Sequence, residues 1–263
     1  MKKFENKTVW ITGASSGIGE ALAHEFAKEG ARLVLSARNE AELQRVAQAC
    51  GRPGTIIQTL DLGDHDSLPG IVKTVLSKAG QVDVLVNNGG ISQRSLAKDT
   101  KFEVDKKLIN VNLLGTIALS KAILPHFLER KSGHFVVITS LTGKFGTQLR
   151  SSYAAAKHGL HGFFDSLRAE VWRENVQVTL VCPGFISTQV SVNALTGDGT
   201  PQGSMDNATH AGKSPEALAG AIVSAVEKGK YELLFGGKEV MGVYIKRFFP
   251  TLFTNMLRKA KVT

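Results

Sequence analysis

The sequence has few cysteines and no long uninterrupted apolar run. Its two cysteines, Cys50 and Cys182, lie far apart without metal-ligand spacing, so we expect two reduced and mostly buried thiols. No stretch approaches 18 consecutive apolar residues, which predicts no membrane-spanning helix. The first ten residues carry charge with no apolar run behind them. We therefore expect no signal peptide or N-terminal anchor, and a cytoplasmic protein.

Positive charge is not spread evenly along the chain. The formal net charge is +9, and residues 236–263 hold six basic residues against one acid, Glu239. This tail supplies +5 of the +9, six minus one, and leaves a body near +4. So small an excess of charge on the body does not predict a nucleic-acid surface. The tail needs an explanation of its own.

Short β-branched runs alternate with amphipathic helical stretches. The predicted strands are 7–12, 31–37, 54–60, 82–87, 134–140, 176–182 and 231–235. The predicted helices are 17–29, 39–49, 64–79, 101–130, 151–174 and 214–228. Strands so uniformly apolar suit a parallel sheet that is covered on both faces. The alternation predicts an α/β fold of one domain: a Rossmann-like, doubly wound parallel sheet of seven strands with helices on both faces.

A glycine-rich turn, TGASSGIG, joins the first predicted strand to the first predicted helix. Gly13, Gly17 and Gly19 stand where absent side chains let a pyrophosphate approach the backbone and the helix N-terminus. The spacing is G-x-x-x-G-x-G, not the more general G-x-G-x-x-G. A plain tight turn is the alternative, but its place in the first βαβ unit favours a dinucleotide site.

The end of the second predicted strand bears on the choice of dinucleotide. An Asp or Glu at this point accepts hydrogen bonds from the ribose of NAD, whereas an Arg suits the 2′-phosphate of NADP. Arg38 stands here, and neither Ser36 nor Ala37 is acidic. The sequence therefore favours NADP(H), with NAD(H) as the alternative.

The stretch SSYAAAKHG places Tyr153 one helical turn before Lys157, with three alanines between them. Side chains at i and i+4 share a face of a helix. A phenol is a poor acid or base near neutrality, and a nearby ammonium lowers its pKa. We therefore expect Tyr153 to be a tuned proton donor with a lowered pKa.

Together these motifs resemble the short-chain dehydrogenase/reductase family over residues 5 to about 235. Its signature pieces stand in order: TGASSGIG, DL at 61–62, NNGG at 87–90, NVN at 110–112, the serine of VVITS, YAAAK, and PGFIST at 183–188. Within the family, the segment STQVSVNALTGDG and the neighbouring GKSPE are most similar to the dehydrogenase/reductase group related to hydroxysteroid dehydrogenases. Many of those relatives carry an N-terminal membrane anchor, which we do not expect here.

The resemblance implies four catalytic residues. Tyr153 is the expected proton donor or acceptor, and Lys157 lowers its pKa and binds the nicotinamide ribose. Ser140 orients the substrate carbonyl, and Asn112 interrupts a helix and holds a water on the proton relay. The implied cofactor residues are Gly13, Ser15, Ser16, Gly17, Ile18, Gly19, Arg38, Asp61, Leu62, Asn87, Gly89, Tyr153, Lys157, Pro183, Gly184, Ile186 and Thr188.

Two departures from the family pattern are visible. NNGG replaces the commoner NNAG, and Ser16 stands where some NADP-preferring relatives carry a second basic residue. Arg38 is therefore the main residue that favours NADP(H). Four residues beside the motifs are expected to line the substrate site: Gln93, Arg94, Gln148 and Phe185.

The histidines form no obvious ligand set. His158 and His161 lie three residues apart on the predicted helix 151–174, and we interpret them as solvated or interface side chains. His126, His134 and His210 have no clustered ligands, so we predict no metal.

The sequence thus predicts an NADP(H)-dependent oxidoreductase that interconverts a secondary alcohol and a ketone or aldehyde, with a lipophilic small-molecule substrate. Residues 1–235 are the expected NADP-binding catalytic body, with the irregular segment 189–213 as a mobile lid. The resemblance implies a homodimer or homotetramer that pairs through 101–130 and 151–174. A non-catalytic NADP-binding regulator and a membrane-surface protein are the alternatives.

The tail, 236–263, is expected to extend the same domain as two short amphipathic helices broken at Pro250. Two interpretations remain open. In the first, the apolar stripe of these helices packs on the body or on a partner subunit. In the second, it lies with the basic residues at an anionic membrane surface, or it forms the lipid-facing mouth of a pocket for apolar substrates. The stripe comprises Met241, Tyr244, Ile245, Phe248, Phe249, Leu252, Phe253 and Leu257.

Overall fold

Seven parallel strands form a single sheet in the computed structural model, which describes residues 2–260. The strands are β1 (Thr8–Thr12), β2 (Arg32–Ser36), β3 (Ile56–Ile57), β4 (Val84–Asn87), β5 (Gly133–Ile138), β6 (Val176–Pro183) and β7 (Glu232–Phe235). Their order is β3-β2-β1-β4-β5-β6-β7, and every pairing is parallel. The order reverses between β1 and β4, where open α/β sheets place their ligand crevice.

Ten α-helices connect and cover the strands in the described residues. They are α1 (Gly17–Lys28), α2 (Glu40–Cys50), α3 (Leu68–Ala79), α4 (Phe102–Ile109), α5 (Gly115–Arg130), α6 (Ser151–Glu170), α7 (Asn207–His210), α8 (Pro215–Glu227), α9 (Met241–Phe248) and α10 (Pro250–Lys259). Helices α1, α2 and α8 cover one face of the sheet, and α3, α5 and α6 cover the other. The predicted doubly wound fold is confirmed.

The strands are apolar throughout because both of their faces are buried. In β1, Val9 and Ile11 join the core under α1 and α8, whereas Trp10 between them joins the core under α3 and α5. All three side chains are fully buried. Successive residues of a strand point to opposite faces, so a sheet covered on both sides needs an apolar residue at every position.

The predicted helix 101–130 is interrupted by a π-helical turn over Asn110–Leu114. The whole run, Phe102–Arg130, is long and apolar enough to cross a membrane by length and composition, although charged residues interrupt its apolar sequence. It lies against the sheet, however, and Leu119, Ile123 and Phe127 are fully buried there. These contacts are those of a core helix in a globular domain.

The segment 189–213, expected to be a mobile lid, is docked on the loop that follows β4. Arg94 N donates to Leu195 O (2.8 Å), and Leu195 N donates to Ser92 O (2.9 Å). A second attachment joins Lys101 N to Gly197 O (2.8 Å). The segment also contains α7 and several buried side chains, so it forms a packed wall of the domain in this conformation.

The tail forms the two expected helices, with Pro250 as the first residue of α10. Proline fits this position because an N–H in the first turn of a helix has no acceptor within the helix, so its absence breaks no hydrogen bond. Phe253 is buried and its ring lies 5.1 Å from that of Phe145, centroid to centroid. Lys261, one of the six basic residues of the tail, lies outside the described residues.

Candidate active site

A cleft of about 1480 Å³ opens at the carboxyl ends of β1, β4, β5 and β6. One end is bounded by the glycine-rich turn after β1 and by the ends of β2 and β3; we call it the cofactor end. The other is bounded by the segment 189–213 and by α9 and α10; we call it the substrate end. Tyr153 and Ser140 line the cleft between them.

The glycine-rich turn needs glycine for reasons of space and backbone angle. Gly13 has φ +63°, and a Cβ there would lie 2.8 Å from Gly89 Cα. Gly17 has φ +57°, and a Cβ there would lie 3.2 Å from Thr188 Cγ2. A Cβ on Gly19 would collide with the Gly13 carbonyl oxygen. The turn therefore presents bare backbone at the N-terminus of α1, which suits a pyrophosphate.

Arg38 lies where the sequence predicts it, at the end of β2 on the rim of the cleft. Its side chain is exposed, and no ion pair or hydrogen bond to it occurs within residues 2–260. Asp61 and Leu62 line the same end of the cleft, and Asp61 Oδ1 accepts from Gly63 N (2.8 Å). The guanidinium of Arg38 thus remains available to a phosphate.

Of the two NNGG residues expected at the cofactor, Asn87 and Gly89, only one faces the cleft. Gly89 lines it, but the side chain of Asn87 points into the core, where Nδ2 donates to Ser120 Oγ (2.9 Å). The neighbouring Asn88 lines the cleft instead. Its Nδ2 donates to Thr12 O (3.0 Å) and Gly13 O (3.1 Å), which ties β4 to the glycine-rich turn.

The remaining expected cofactor residues lie along the cleft. Members of the set whose atoms line it are Ser15, Ser16, Gly17, Ile18, Pro183, Gly184, Ile186 and Thr188. Ile186 is also held by a short bridge to Lys213, through Ser187 N and the Lys213 carbonyl (2.9 Å). The loop after β6 is therefore fixed against the entry to α8.

Tyr153 and Lys157 share one face of α6, as their spacing predicts. Lys157 Nζ lies 5.6 Å from the centroid of the Tyr153 ring and donates to Ile138 O (2.8 Å). Ser140, at the end of β5, donates to Pro183 O (3.4 Å) and accepts from Thr142 Oγ1 (2.9 Å). The structure therefore brings the phenol, the ammonium and the hydroxyl to one place in the cleft.

The electrostatics of this group differ from the expectation. Burial raises the pKa of Tyr153 above its ordinary value, and this outweighs the lowering by Arg150, by the Ser140 hydrogen bond and by Arg94. Burial also lowers the pKa of Lys157 to about 8. The expected net lowering of the Tyr153 pKa is therefore wrong for the protein alone, because removing the phenol from water disfavours the phenolate.

Asn112 lies in the π-helical turn, which agrees with its expected place at an interruption of the helix. Its side chain is fully buried and clamps one residue: Nδ2 donates to Ile91 O (2.9 Å), and Oδ1 accepts from Ile91 N (2.8 Å). The loop after β4 is thereby fixed beside the cleft. The water-holding role of Asn112 remains a prediction.

Two of the four expected substrate residues do not line the cleft. Gln93 is fully buried, and its Oε1 accepts from Ser152 N (3.0 Å) and Tyr153 N (3.2 Å), so it fixes the first turn of α6. Gln148 is exposed and donates to Arg258 O in α10 (3.4 Å). Arg94 and Phe185 do line the cleft.

The substrate end contains residues beyond the four expected substrate positions, and Met241, Ile245, Phe253 and Leu257 among them belong to the apolar stripe predicted for the tail. They come from the loop before α6, from the segment 189–213 and from the tail: Phe145, Arg150, Asn193, Leu195, Met241, Ile245, Phe253, Met256 and Leu257. Asp206, which no sequence motif indicates, is buried and lies 2.5 Å from Arg94 (Nη2 to Oδ2). Their sequence positions span more than a hundred residues, and no short motif joins them.

Comparison with known proteins settles the family. The family model described as short chain dehydrogenase matches residues 7–198. A dehydrogenase/reductase SDR family protein 7-like from Anopheles gambiae is 43% identical over 267 residues, which cover 98% of this chain and 84% of the relative. The chain belongs to the short-chain dehydrogenase/reductase family.

Solved structures agree with this assignment. A short-chain dehydrogenase from Streptomyces avermitilis superposes with a TM-score of 0.81 at 26% identity, covering 96% of each chain. An alcohol dehydrogenase from Thermococcus sibiricus, complexed with 5-hydroxy-NADP, gives a TM-score of 0.75 at 26% identity and covers 88% of this chain and 97% of its own. This short-chain dehydrogenase/reductase is therefore an oxidoreductase of the class that uses NAD(P).

The cofactor end of this short-chain dehydrogenase/reductase fits a dinucleotide. The turn around Gly13 and Gly17 leaves space that a Cβ would fill, beside the N-terminus of α1. Arg38 and Asp61 stand farther along the same cleft, where the adenosine half would lie. The residues present thus suit the pyrophosphate and the adenosine ribose of the cofactor.

The interpretation of one histidine of α6 is wrong. His161, expected to be solvated or at an interface, is buried, and its Nε2 lies 3.1 Å from Thr139 Oγ1. Burial, aided by Lys144, lowers its pKa to about 4. His158 is exposed, as expected.

Within residues 2–260, one group of three side chains could hold a metal ion: His161, Cys182 and Glu232. Cys182 Sγ lies 3.6 Å from His161 Nε2, whereas Glu232 Oε1 lies 4.0 Å from the other ring nitrogen. One ring nitrogen of His161, the Cys182 sulfur and one Glu232 carboxylate oxygen lie within 4.8 Å of one another. Glu232 is also ion-paired with Lys144. The absence of a metal remains a prediction.

Proposed function

We propose that this enzyme interconverts a secondary alcohol and a ketone or aldehyde with NADP(H), and that its substrate is lipophilic. The observation that carries the proposal is the meeting of Tyr153, Lys157 and Ser140 between the two ends of one cleft. Hydroxyl donors aimed at the point where negative charge develops stabilise the transition state of carbonyl reduction.

In this mechanism the bound nicotinamide supplies or accepts the hydride. Tyr153 gives a proton to the carbonyl oxygen in reduction and takes it back in oxidation, while Ser140 donates a second hydrogen bond to that oxygen. Lys157, held by the Ile138 carbonyl, stabilises the phenolate. Asn112 fixes the loop that borders the reacting atoms.

The preference for NADP(H) rests on Arg38. Its exposed guanidinium at the end of β2 fits a 2′-phosphate, and Ser36 and Ala37 place no repelling carboxylate beside it. Solved relatives contain either cofactor: the one from Thermococcus sibiricus an NADP derivative, and one from Burkholderia phymatum NAD. The proposed preference therefore rests on Arg38 alone.

The preference for a lipophilic substrate rests on the lining of the substrate end. Phe145, Phe253, Leu257 and Ile245 form one apolar wall where the tail packs on the body. Such a wall binds hydrocarbon and excludes water from the reacting oxygen.

The test is NADPH oxidation screened against ketones, aldehydes, steroids and quinones. We expect turnover of at least one apolar carbonyl compound, with NADPH favoured over NADH. No turnover across the panel, with tight NADPH binding retained, would instead support the non-catalytic regulator. Faster turnover with NADH would overturn the cofactor preference alone.

We also propose that the protein is cytoplasmic and associates with anionic membranes through its tail. Six of the twelve exposed large apolar side chains in the described residues lie between Met241 and Met256. No acidic residue stands between 240 and 260, whereas Arg247, Arg258 and Lys259 are exposed. Exposed apolar groups beside unpaired positive charge suit the headgroup region of an anionic bilayer.

Each of the two interpretations of the tail accounts for one of its faces. Its inner face, with Phe253 and Leu257, packs on the body, whereas its outer face, with Tyr244, Phe248 and Phe249, is exposed. Sedimentation with phosphatidylserine vesicles tests the outer face. The protein should pellet at low salt, and Phe248→Ser with Phe249→Ser should not, whereas Tyr231→Ser, an equally exposed aromatic elsewhere, should pellet normally. Equal behaviour of all three proteins would refute membrane binding.

A homodimer or homotetramer is proposed on the family resemblance, with pairing through the helices of 101–130 and 151–174. Phe102 is 72% exposed, an apolar side chain that pairing would cover. Light scattering at micromolar concentration should give twice or four times the chain mass. A monomer mass would overturn this proposal.

A further inference from the structure

A buried cluster of three charged side chains lies at the start of the helix that carries Tyr153, and its two arginines line the same cleft as the phenol. Asp206, from the segment 189–213, accepts from Arg94 Nε (2.7 Å), and its Oδ2 lies 3.7 Å from Arg150 Nη2. The side chains of the three are 2%, 5% and 6% exposed, respectively. One carboxylate is therefore shared between two guanidinium groups out of contact with water.

Each member belongs to a different part of the chain. Arg94 lies in the loop after β4, Arg150 directly precedes α6, and Asp206 directly precedes α7. Arg94 also donates from Nη1 to Ser92 Oγ (3.0 Å) and Gln93 O (2.7 Å), so its fork cannot turn without breaking several bonds. Asp206 Oδ1 accepts from Gln202 Nε2 (2.9 Å). The cluster joins the wall of the substrate end to the start of the helix that carries Tyr153.

We propose that Asp206 is a positioning residue for the reaction: it holds Arg94 and Arg150 beside Tyr153 and neutralises one of their two charges. The cluster keeps a net charge of one, two guanidiniums minus one carboxylate. This inference rests on the proposed role of Tyr153 as proton donor.

The charged groups that face Tyr153 come from several elements. Lys157 lies on the same helix, Arg94 and Arg150 on the adjoining loops, and Asp206 behind them. From α4, Asp105 accepts a hydrogen bond from Ser152. Arg150 and Arg94 both oppose the rise that burial causes in the pKa of Tyr153. Asp206 in turn weakens that opposition, since it offsets part of their positive charge.

Two substitutions should therefore move the titration of Tyr153 in opposite directions. Asp206→Asn removes the offsetting negative charge, so the phenol should ionise at lower pH. Arg150→Gln removes a positive charge, so the phenol should ionise at higher pH. Each shift should be on the order of one pH unit for charges a few ångströms apart in a partly buried site.

The direct readout does not need a substrate. The chain has three tyrosines, so ultraviolet titration of tyrosinate, minus the same titration of the Tyr153→Phe variant, isolates Tyr153. Arg150→Lys, which keeps the charge, should return the titration toward wild type. Asp198→Asn is the matched control, because Asp198 lies in the same segment but its carboxylate binds only Thr196 and Thr200.

The second readout is the pH profile of kcat/KM for alcohol oxidation, which needs the phenolate. Its rising limb should shift with the tyrosinate titration in both variants. If the tyrosinate titration shifts in the same direction in folded Asp206→Asn and Arg150→Gln proteins, or does not shift, the cluster has only a structural role. If Asp206→Asn does not fold, Arg150→Gln and its rescue by Arg150→Lys decide alone. Tyrosinate shifts without turnover of any substrate would refute the proposed function but not the cluster.

Discussion

The two ends of the cleft are built in different ways. The cofactor end consists of strand ends and one glycine-rich turn, where backbone atoms and absent side chains leave space for a dinucleotide. The substrate end is assembled from large side chains and a buried ion cluster that come from distant segments. The first kind of site is local in sequence, so a motif reveals it. The second exists only after long-range packing.

The largest expected effect lies where the two ends meet. Tyr153→Phe should lower kcat about 10²–10⁴-fold, because the ring remains and only the acidic proton is lost. The affinity for NADPH, measured by fluorescence titration, should stay close to wild type. A variant that keeps more than about a tenth of wild-type kcat would show that Tyr153 is not the proton donor.

Phe253→Ala breaks the substrate end while sparing the cofactor end. Removing this buried ring from its contact with Phe145 should lower the free energy of unfolding by about 3 kcal/mol and raise KM for the apolar substrate. KM for NADPH should not change. Phe248→Ala, in the same tail but 69% exposed, is the control and should alter neither stability nor KM. Equal effects of both substitutions would contradict the packing described for the tail.

Arg38→Asp breaks the cofactor end while sparing the substrate end. Loss of a charge-assisted contact costs about 1.5–3 kcal/mol, so KM for NADPH should rise roughly ten- to a hundredfold. NADH should become comparatively acceptable, since the 2′-hydroxyl can bind a carboxylate. Steady-state kinetics with both cofactors measure this, and an equal loss with each would indicate a role in folding instead.

The smallest expected effect concerns His161, which is buried beside Thr139. Its folded pKa, about 4, lies below its ordinary value of 6.5, so the unfolded chain binds more protons between these pH values. His161 should therefore destabilise the protein as the pH falls from 7 toward 5, by about 1–2 kcal/mol. Urea unfolding at both pH values measures this.

The histidine experiment has its control on the same helix. His161→Gln should reduce the loss of stability on acidification, whereas His158→Gln, at an exposed position, should leave it unchanged. An equal loss of stability on acidification in the wild type and in His161→Gln would contradict the neutral, buried state of His161, since buried His134, whose pKa is also lowered to about 4, is present in both.

The sequence predicted the sheet, its helices and the place of Tyr153, because periodicity and i, i+4 spacing act over short distances. It predicted that Asn87 faces the cleft, whereas Asn88 does, because only the packing of Asn87 on Ser120 decides between the two neighbours. His161 could have been found: it lies four residues after Lys157, on the same buried face of α6.

Other features of the site are not indicated by any short stretch of the sequence. Asp206 reaches Arg94 across 112 residues, and Phe253 reaches Phe145 across more than a hundred. The rise in the pKa of Tyr153 likewise depends on how completely the folded chain removes the phenol from water. Each of these depends on three-dimensional packing, and composition does not determine it.

The central claim is that hydride passes between a cofactor at one end of the cleft and a substrate at the other, next to Tyr153. The most direct test of this claim uses NADPH deuterated at C4. Each of the two stereoisomers would be incubated with the best carbonyl substrate of the panel, and the alcohol would be analysed by mass spectrometry. We predict one deuterium on the carbinol carbon from one stereoisomer, and a strongly reduced yield with Tyr153→Phe. Unlabelled product from both stereoisomers, or labelled product formed equally well by Tyr153→Phe, would contradict the account.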